Sequence, residues 1–392
     1  MKEINTGKEK MNITVDDLVR LARRDNNSIR PYLYVNPKQG KHIPSDPRET
    51  LRICEALANK VNTAYPDDKL YVIGFAETAT GVASAISYYL KNIKYYQNTT
   101  REYKEEESYL YFTESHSHAK DQMLRSSGLE ECIENVDRII FVDDEVTTGN
   151  TIYKLVQSIK KNYNTKNIHF SIVSMLNSMP SERINELAAE DIDCLFLASI
   201  PFEYKKDEII NVSIKQENHH EYSHDQAEEN ESVALTDEIC YESQFNPRCV
   251  VEFSDYQKEN QRFADSVITK LKKNHYNKFL VLGTEEFMYA TIFVGKMLED
   301  SGVADQVKIH STTRSPIVAN DAQEYPLKER YQIRSFYDLD RKTYIYNLEA
   351  YDGVLILTDA ENYNPGLADL CSVLDDVGNK DIILGRWRYK EV

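Results

Sequence analysis

Short apolar runs of four to six residues alternate with segments of helical period through the first half of the chain. Runs of this length without internal alternation are typical of strands buried on both faces, and the segments between them have the spacing of amphipathic helices. The first helix is marked by Asp46 as its N-cap and by Pro47 at its first position. We therefore predict an α/β fold in which helices cover both faces of a parallel sheet.

The predicted strands and helices follow one another in a regular order. Strands are predicted at 70–73, 138–142, 168–175 and 194–200. The predicted helices carry apolar stripes at Cys54, Leu57, Ala58 and Val61, at Val82, Ala85, Ile86 and Tyr89, and at Ile152, Leu155, Val156 and Ile159.

Composition excludes several classes of protein. Of the 392 residues, 41% are hydrophobic and 28% are charged, which is an ordinary globular balance. No apolar run is long enough to span a membrane and the N-terminus is polar, so we expect a cytoplasmic protein. The 64 acidic and 47 basic residues give a net charge of −17, which argues against nucleic-acid binding. The six cysteines form no CxxC pair, which argues against structural zinc.

The most informative segment runs from Ile139 to Thr151. A buried strand is followed by the adjacent acids Asp143 and Asp144, and then by a Thr-Thr-Gly-Asn-Thr turn that opens a helix. Backbone N–H groups and hydroxyls at a helix N-terminus form a site for one phosphate, and Gly149 lets the backbone approach closely. The two acids disfavour a phosphate, so we expect them to face ribose hydroxyls or Mg²⁺. A sugar phosphate suits both parts of such a site.

This segment resembles the binding loop for phosphoribosyl pyrophosphate (PRPP) of type I phosphoribosyltransferases, in which a strand leads into two acids, two further residues and Thr-Thr-Gly-x-Thr. The resemblance implies that Asp143 and Asp144 are catalytic residues that hold the ribose hydroxyls and Mg²⁺. It implies that the 5′-phosphate is bound by Thr147, Thr148, Gly149, Asn150 and Thr151. Glu145 is a departure, because the family usually carries an aliphatic residue there.

The resemblance extends to a second loop and to a lid. It implies that the turn containing Ala76, Glu77 and Thr78, together with Arg101, binds pyrophosphate. The long polar stretch 101–128 resembles the family's flexible catalytic loop, although a solvated loop is an equal alternative. The polar residues of that lid are Glu114, His116, His118 and Lys120.

Further motifs narrow the resemblance to one branch of the family. The NPxxGKHIP segment at 36–44, GFAETATG at 74–81 and ESHSHA at 114–119 are similar to the tellurium-resistance-associated phosphoribosyltransferases, which have an orotate phosphoribosyltransferase-like domain. The sequence Thr-Arg-Ser-Pro at 313–316 matches the signature of that family's C-terminal TRSP domain. The resemblance implies a role in nucleotide metabolism, in a bacterial stress-response biosynthetic pathway with a nucleoside-like small-molecule product.

We predict three regions along the chain: a phosphoribosyltransferase-like domain at 1–205, an acidic linker or arm at 206–239 and a TRSP-type α/β domain at 240–392. The second domain shows faint similarity to the first, which suggests a degenerate copy, although short strand–loop–helix segments also resemble one another by chance. Its candidate site residues lie at the ends of predicted strands and are Glu285, Arg314, Ser315 and Asp359. No Thr-Thr-Gly turn follows Asp359, so we expect this copy to have lost PRPP binding.

The favoured function is that of a Mg²⁺-dependent phosphoribosyltransferase that uses PRPP to ribosylate a small, base-like acceptor. The alternative is a non-catalytic regulatory protein that binds PRPP or a nucleotide through the same loop. The expected partners are PRPP and the acceptor, with neither nucleic acid nor membrane. A homodimer is compatible with the sequence, which fixes neither the oligomeric state nor the acceptor.

Overall fold

The computed structural model describes residues 13–25, 30–112, 122–200, 219–222, 235–361 and 363–390. The helices are α1 (Val15–Leu18), α2 (Pro47–Ala64), α3 (Ala79–Ser87), α4 (Leu129–Glu134), α5 (Asn150–Asn162), α6 (Ser181–Ala189), α7 (Phe253–Leu271), α8 (Tyr289–Asp300) and α9 (Asn364–Val377). The strands of the first half are β1 (Arg20–Arg23), β2 (Tyr32–Val35), β3 (Leu70–Gly74), β4 (Ile93–Asn98), β5 (Tyr109–Tyr111), β6 (Met123–Arg125), β7 (Arg138–Val146), β8 (His169–Asn177) and β9 (Ile192–Ser199). Those of the second half are β10 (His219–Glu221), β11 (Asp237–Ser243), β12 (Val251–Glu252), β13 (Tyr276–Gly283), β14 (Ala304–Ser311), β15 (Arg330–Arg334), β16 (Lys342–Tyr346), β17 (Gly353–Thr358) and β18 (Ile382–Tyr389).

The first large sheet has the strand order β12-β4-β3-β7-β8-β9. Strands β4, β3, β7, β8 and β9 run parallel, as predicted, and β12 adds an antiparallel edge strand. Strand β12 lies beyond position 250 in the chain, so the second half contributes an edge to the first sheet.

The second large sheet has the order β11-β18-β17-β13-β14, and all of its strand pairs are parallel. Both halves therefore have the predicted α/β architecture. Four consecutive strands follow the same connectivity in both sheets, as β4-β3-β7-β8 in the first and β14-β13-β17-β18 in the second.

The largest apolar core lies between the two sheets. Helices α2 and α3 come from the first half and α7 and α8 from the second, and their buried faces pack together in one cluster with strands of both sheets. Gly81 lies at this contact, where an added Cβ would come within 2.8 Å of the Met288 Cβ. A second core joins α4 and α5 to the outer face of the first sheet, and a third joins α9 to the outer face of the second.

The helix caps and stripes confirm the sequence patterns. The Asp46 carboxylate accepts from the Arg48 N–H at 2.8 Å, and Pro47 is the first residue of α2. The predicted stripes of α2 and α5 are buried. Among the described residues, no helix is long and apolar enough to cross a membrane.

One boundary differs from the prediction. We expected a loop from Asp143, but β7 continues to Val146. The reason is the neighbouring strand, since β8 is long enough to pair with Asp143, Glu145 and Val146. The acids therefore lie on an extended strand at the carboxyl edge of the sheet.

Candidate functional site

Asp143 and Asp144 lie half-buried at the carboxyl edge of the first sheet. The Asp144 N–H donates to the Asp143 carboxylate at 3.0 Å. Burial and the adjacent Asp144 charge raise the pKa of Asp143 well above its ordinary value, and burial also raises the pKa of Asp144. Neither carboxylate forms an ion pair with any residue that the structure describes. The pair therefore disfavours ionisation of both carboxyls at once in the absence of a bound cation.

The turn after β7 presents the N-terminus of α5. Gly149 is its N-cap and has a φ of +67°, in the left-handed region that glycine adopts most readily. Thr148 and Asn150 are exposed there, and the Asn150 N–H lies 3.3 Å from the Thr148 hydroxyl oxygen. The N-terminus of a helix of this length, with no acid in its first turn, favours an anion.

Arg183 is a residue that the sequence analysis missed. It lies in the first turn of α6, and its guanidinium donates to the Thr148 carbonyl and to the Asn150 side-chain oxygen, both at 3.2 Å. A cation thus lies beside the turn at 147–151, which we call the phosphate turn. Its position after a strand of the parallel sheet, at the carboxyl edge, is the sequence signal that could have identified it.

The turn between β3 and α3 holds the three predicted pyrophosphate-binding residues. Its backbone is fixed because the Ala76 N–H donates to the Thr99 hydroxyl at 2.8 Å and the Gln122 amide donates to the Ala76 carbonyl at 2.8 Å. The Ala76–Glu77 peptide is cis. At Gly74 a Cβ would come within 2.6 Å of the Ala83 Cβ, so the close approach of strand and helix requires glycine.

The Glu77 carboxylate does not face open solvent. It forms an ion pair with Lys41 and accepts from the Arg314 N–H at 3.3 Å. Burial opposes ionisation, but the charges of Lys41 and Arg314 together lower the pKa of Glu77 to about 2. Its negative charge is therefore neutralised and does not repel a bound anion.

Lys41 connects this turn to the second half of the chain. Its side chain is only 1% exposed, and its ammonium also donates to the Glu285 carbonyl at 3.2 Å and the Thr312 carbonyl at 3.3 Å. Burial lowers the pKa of Lys41, and Glu77 opposes that effect. The charge of Lys41 also acts on Asp144, so the acid pair and the β3–α3 turn belong to one electrostatic site.

Arg101 is half-buried beside the same turn. It forms no ion pair with any described residue, and its Nε is buried without a hydrogen-bond partner. Burial and the nearby charge of Arg314 lower the pKa of Arg101. The charges of Glu77 and Glu286 act on its guanidinium without forming an ion pair with it.

Glu145, the departure from the family pattern, is paired with Arg30. Burial raises the pKa of Glu145, and the Arg30 charge opposes that rise. No local sequence pattern indicates this pair, because the two residues are 115 positions apart. Arg30 thereby offsets the extra negative charge beside the acid pair.

The second-domain candidates are brought together, but the chain's own side chains already satisfy them. Glu285 is fully buried and pairs with Arg314 at 2.7 Å and with Arg341 at 2.9 Å. Burial alone would raise the pKa of Asp359. The ion pair with Arg248 and the hydroxyls of Tyr337 and Tyr389 outweigh that effect and lower the pKa.

The remaining second-domain candidate, Ser315, forms part of a turn. Its N–H donates to the Thr313 hydroxyl at 3.2 Å, and its carbonyl accepts from Tyr346 at 2.6 Å. The lid candidates Glu114, His116, His118 and Lys120 lie outside the described residues, as does most of the predicted acidic linker. Strands β5 and β6, which lie within the stretch 101–128, pair with each other in antiparallel fashion.

A comparison with protein families identifies the class of protein to which this fold belongs. Residues 18–198 match the family described as phosphoribosyl transferase, and residues 252–374 match the one described as TRSP domain, C terminus to that transferase. The chain therefore belongs to the phosphoribosyltransferase family through its N-terminal domain and carries that family's TRSP domain after it. No curated protein matches the chain.

Solved phosphoribosyltransferases share distant structural similarity with the chain. APRTase from Giardia lamblia, solved with 9-deazaadenine, is 11% identical with a TM-score of 0.32, and the match covers 47% of this chain and 97% of that one. A hypoxanthine-guanine phosphoribosyltransferase from Bacillus anthracis is 16% identical with a TM-score of 0.27, covering 47% of this chain and 86% of that one. The assignment rests on the family match, since scores this low add nothing to it.

Proposed function

We propose that the N-terminal domain is a Mg²⁺-dependent phosphoribosyltransferase that binds PRPP between the acid pair, the phosphate turn and the β3–α3 turn. One observation carries the proposal. In a region where other charged side chains are paired, Asp143, Asp144 and Arg101 form no ion pair with any described residue. A ligand with a neutral ribose and a pyrophosphate beside it would use all three groups.

The 5′-phosphate fits the α5 N-terminus. It would accept hydrogen bonds from the backbone of residues 147–151, with Arg183 adding positive charge at one side. This contact is remote from the reacting carbon, so its binding energy positions C1 of the ribose.

Mg²⁺ fits the acid pair, because carboxylate oxygens without a cation partner are the donors that it prefers. When bound, it would neutralise charge on the pyrophosphate leaving group. No set of three His, Cys, Asp or Glu side chains in the described part of the chain converges on one point, so Asp143 and Asp144 would be its protein ligands.

The reaction would break the bond between C1 and the pyrophosphate oxygen and form a bond from C1 to the acceptor. Positive charge develops at C1 in such a displacement, and the carboxylates of Asp143 and Asp144 would hold the ribose hydroxyls and stabilise that charge. The guanidinium of Arg101 would pair with the departing pyrophosphate. The acceptor would be a base-like compound with a nucleophilic nitrogen.

The test is pyrophosphate release from PRPP with Mg²⁺ and a panel of purine, pyrimidine and other nitrogen heterocycles. We expect release with at least one acceptor. The double variant Asp143→Asn/Asp144→Asn should release pyrophosphate about 100-fold or more slowly, since it loses charge stabilisation in the transition state. Asp265→Asn, on the exposed face of α7, is the matched control. A chain that binds PRPP but releases no pyrophosphate with any acceptor would be a non-catalytic PRPP-binding protein.

A further inference from the structure

We infer that the TRSP domain is a degenerate copy of the N-terminal domain, paired with it about a pseudo-twofold axis, and that Glu286 of this copy is a positioning residue for the pyrophosphate subsite. The inference rests on the proposed function, because that subsite belongs to it. It assigns a role to the C-terminal domain within the same reaction.

The two halves share a topology. In each half, the strand that ends in glycine pairs with the next strand on one side and with the strand that leads to the acid on the other. Strand β3 pairs in this way with β4 and β7, and β13 pairs with β14 and β17. Gly74 pairs with Val142, and Gly283 pairs with Leu357. By this register Asp359 corresponds to Asp144.

Equivalent residues in the two halves also make equivalent contacts. The Ala76 N–H donates to Thr99 at 2.8 Å, and the Glu285 N–H donates to Thr312 at 3.1 Å.

The next residues in the two halves of the chain also correspond. Thr100 forms a bridge with the first residue of β6, and Thr313 forms one with a residue of β16, in both cases an antiparallel bridge to the second strand of a hairpin. By the same alignment, Arg101 corresponds to Arg314 and Glu77 corresponds to Glu286.

The contact between the two halves is reciprocal. The Arg101 N–H donates to the Glu286 carboxylate at 3.0 Å, and the Arg314 N–H donates to the Glu77 carboxylate at 3.3 Å. Such an exchange between equivalent residues is the property of an isologous twofold interface. Here both partners lie in one chain.

The two sites have diverged in charge. In the second copy Arg248 pairs with both Asp359 and Glu286, so the acid equivalent to Asp144 is neutralised within the chain. In the first copy the acid pair and Arg101 keep no such partner among the described residues. The first copy is therefore the one suited to PRPP.

Glu286 fixes the segment that carries Arg101. Its carboxylate accepts from the Thr100 hydroxyl at 2.8 Å and from the Arg101 N–H, while the Arg101 guanidinium makes no ion pair with it. The backbone of Arg101 is thus held by the second copy and its side chain remains available. Loss of Glu286 should misplace this cation relative to the leaving group.

The experiment uses the full chain and two separate ligands, inorganic pyrophosphate with Mg²⁺ and ribose 5-phosphate. We expect Glu286→Ala to weaken pyrophosphate binding about tenfold or more, because hydrogen bonds to a charged group are lost, and to leave ribose 5-phosphate binding unchanged. The isosteric Glu286→Gln, which keeps one acceptor oxygen, should lie between native and Ala. If the Ala variant does not fold, the Gln variant carries the test.

The matched control is Arg48→Met. Arg48 also forms an ion pair across the two halves, with Asp300 at 2.7 Å, but it does not contact the pyrophosphate turn, so both ligands should bind to this variant as to the native chain. Pyrophosphate affinity within twofold of native in folded Glu286 variants would overturn the inference and leave the proposed function standing. A parallel loss of both ligands would also overturn it, by making Glu286 merely structural. If the native chain binds neither ligand, the proposed function fails together with the inference.

Discussion

At the scale of single residues, the site is defined by charges without partners. Ionised carboxylates and guanidinium groups are rarely buried unless they are paired. Asp143 and Asp144 on β7 and Arg101 after β4 are half-buried exceptions at the same edge of one sheet, with β3 between those two strands. Unpaired buried charge costs folding free energy, so a function that uses it is the simplest physical reason for its presence.

Asp143→Asn should stabilise the protein while abolishing its function. The folded-state pKa of Asp143 is raised above its ordinary value of 3.8, so its contribution to stability is present below that pH and is lost as the pH rises through the raised pKa. The native chain should therefore lose stability relative to the variant above about pH 4. We expect the variant to have a higher free energy of unfolding than the native chain at pH 7 in urea without Mg²⁺. Equal or lower stability of the variant would show that the carboxylate is compensated.

Arg101→Met should likewise weaken ligand binding without lowering the stability of the protein. We expect the dissociation constant of Mg²⁺-pyrophosphate to rise about tenfold or more, because a charge-assisted contact is lost, while thermal stability is unchanged or higher. Lys104→Met, which removes an exposed cation paired with Glu361, is the control and should affect neither quantity. Unchanged pyrophosphate affinity in Arg101→Met would remove Arg101 from the site.

At the scale of elements, sequence patterns predicted the parallel sheet, the first helix and the strand–turn–helix that carries the acids. They did so because burial, capping and turn chemistry are local. The end of β7 was missed because it depends on a neighbouring strand, β8, which is paired with it residue by residue. Arg183 was missed because its role appears only when α6 approaches the turn before α5.

The turn before α5 can be tested through its glycine. An Ala at Gly149 would have to adopt a φ of +67° and its Cβ would come within 3.0 Å of the Met179 sulfur. We expect Gly149→Ala to lower the free energy of unfolding by about 1 to 2 kcal/mol and to weaken ribose 5-phosphate binding. Gly128→Ala has a similar φ of +77° with nothing within 4 Å, so it should reduce stability without changing affinity. Equal affinity in both variants would contradict a role for this turn in binding phosphate.

At the scale of the whole molecule, the two halves form one continuous structure. Helices from both halves share the largest core, β12 joins the first sheet, and the Arg314 N–H donates across the two halves to the Glu77 carboxylate. The sequence indicated two α/β units and their similarity, but the contact between Glu77 and Arg314 joins residues 237 positions apart. Contacts at that separation leave no periodicity in the sequence, which is why the network between the halves could not be predicted.

The shared core predicts that the halves do not unfold separately. We expect one cooperative transition in differential scanning calorimetry of the native chain, with equal calorimetric and van't Hoff enthalpies. Two resolved transitions would contradict the common core. Addition of PRPP with Mg²⁺ should shift the single transition upward, because a ligand that binds only the folded state stabilises it.

The central claim is that PRPP binds at the acid pair and its neighbouring turns. Calorimetric titration of PRPP into the native chain, with and without Mg²⁺, tests it directly when Asp143→Asn/Asp144→Asn is measured alongside. We predict binding that depends on Mg²⁺ and that weakens by about 100-fold or more in the double variant, equivalent to roughly 2.7 kcal/mol. A well-folded native chain that does not bind PRPP in the presence of Mg²⁺, or a double variant that binds it as tightly as the native chain, would contradict the claim.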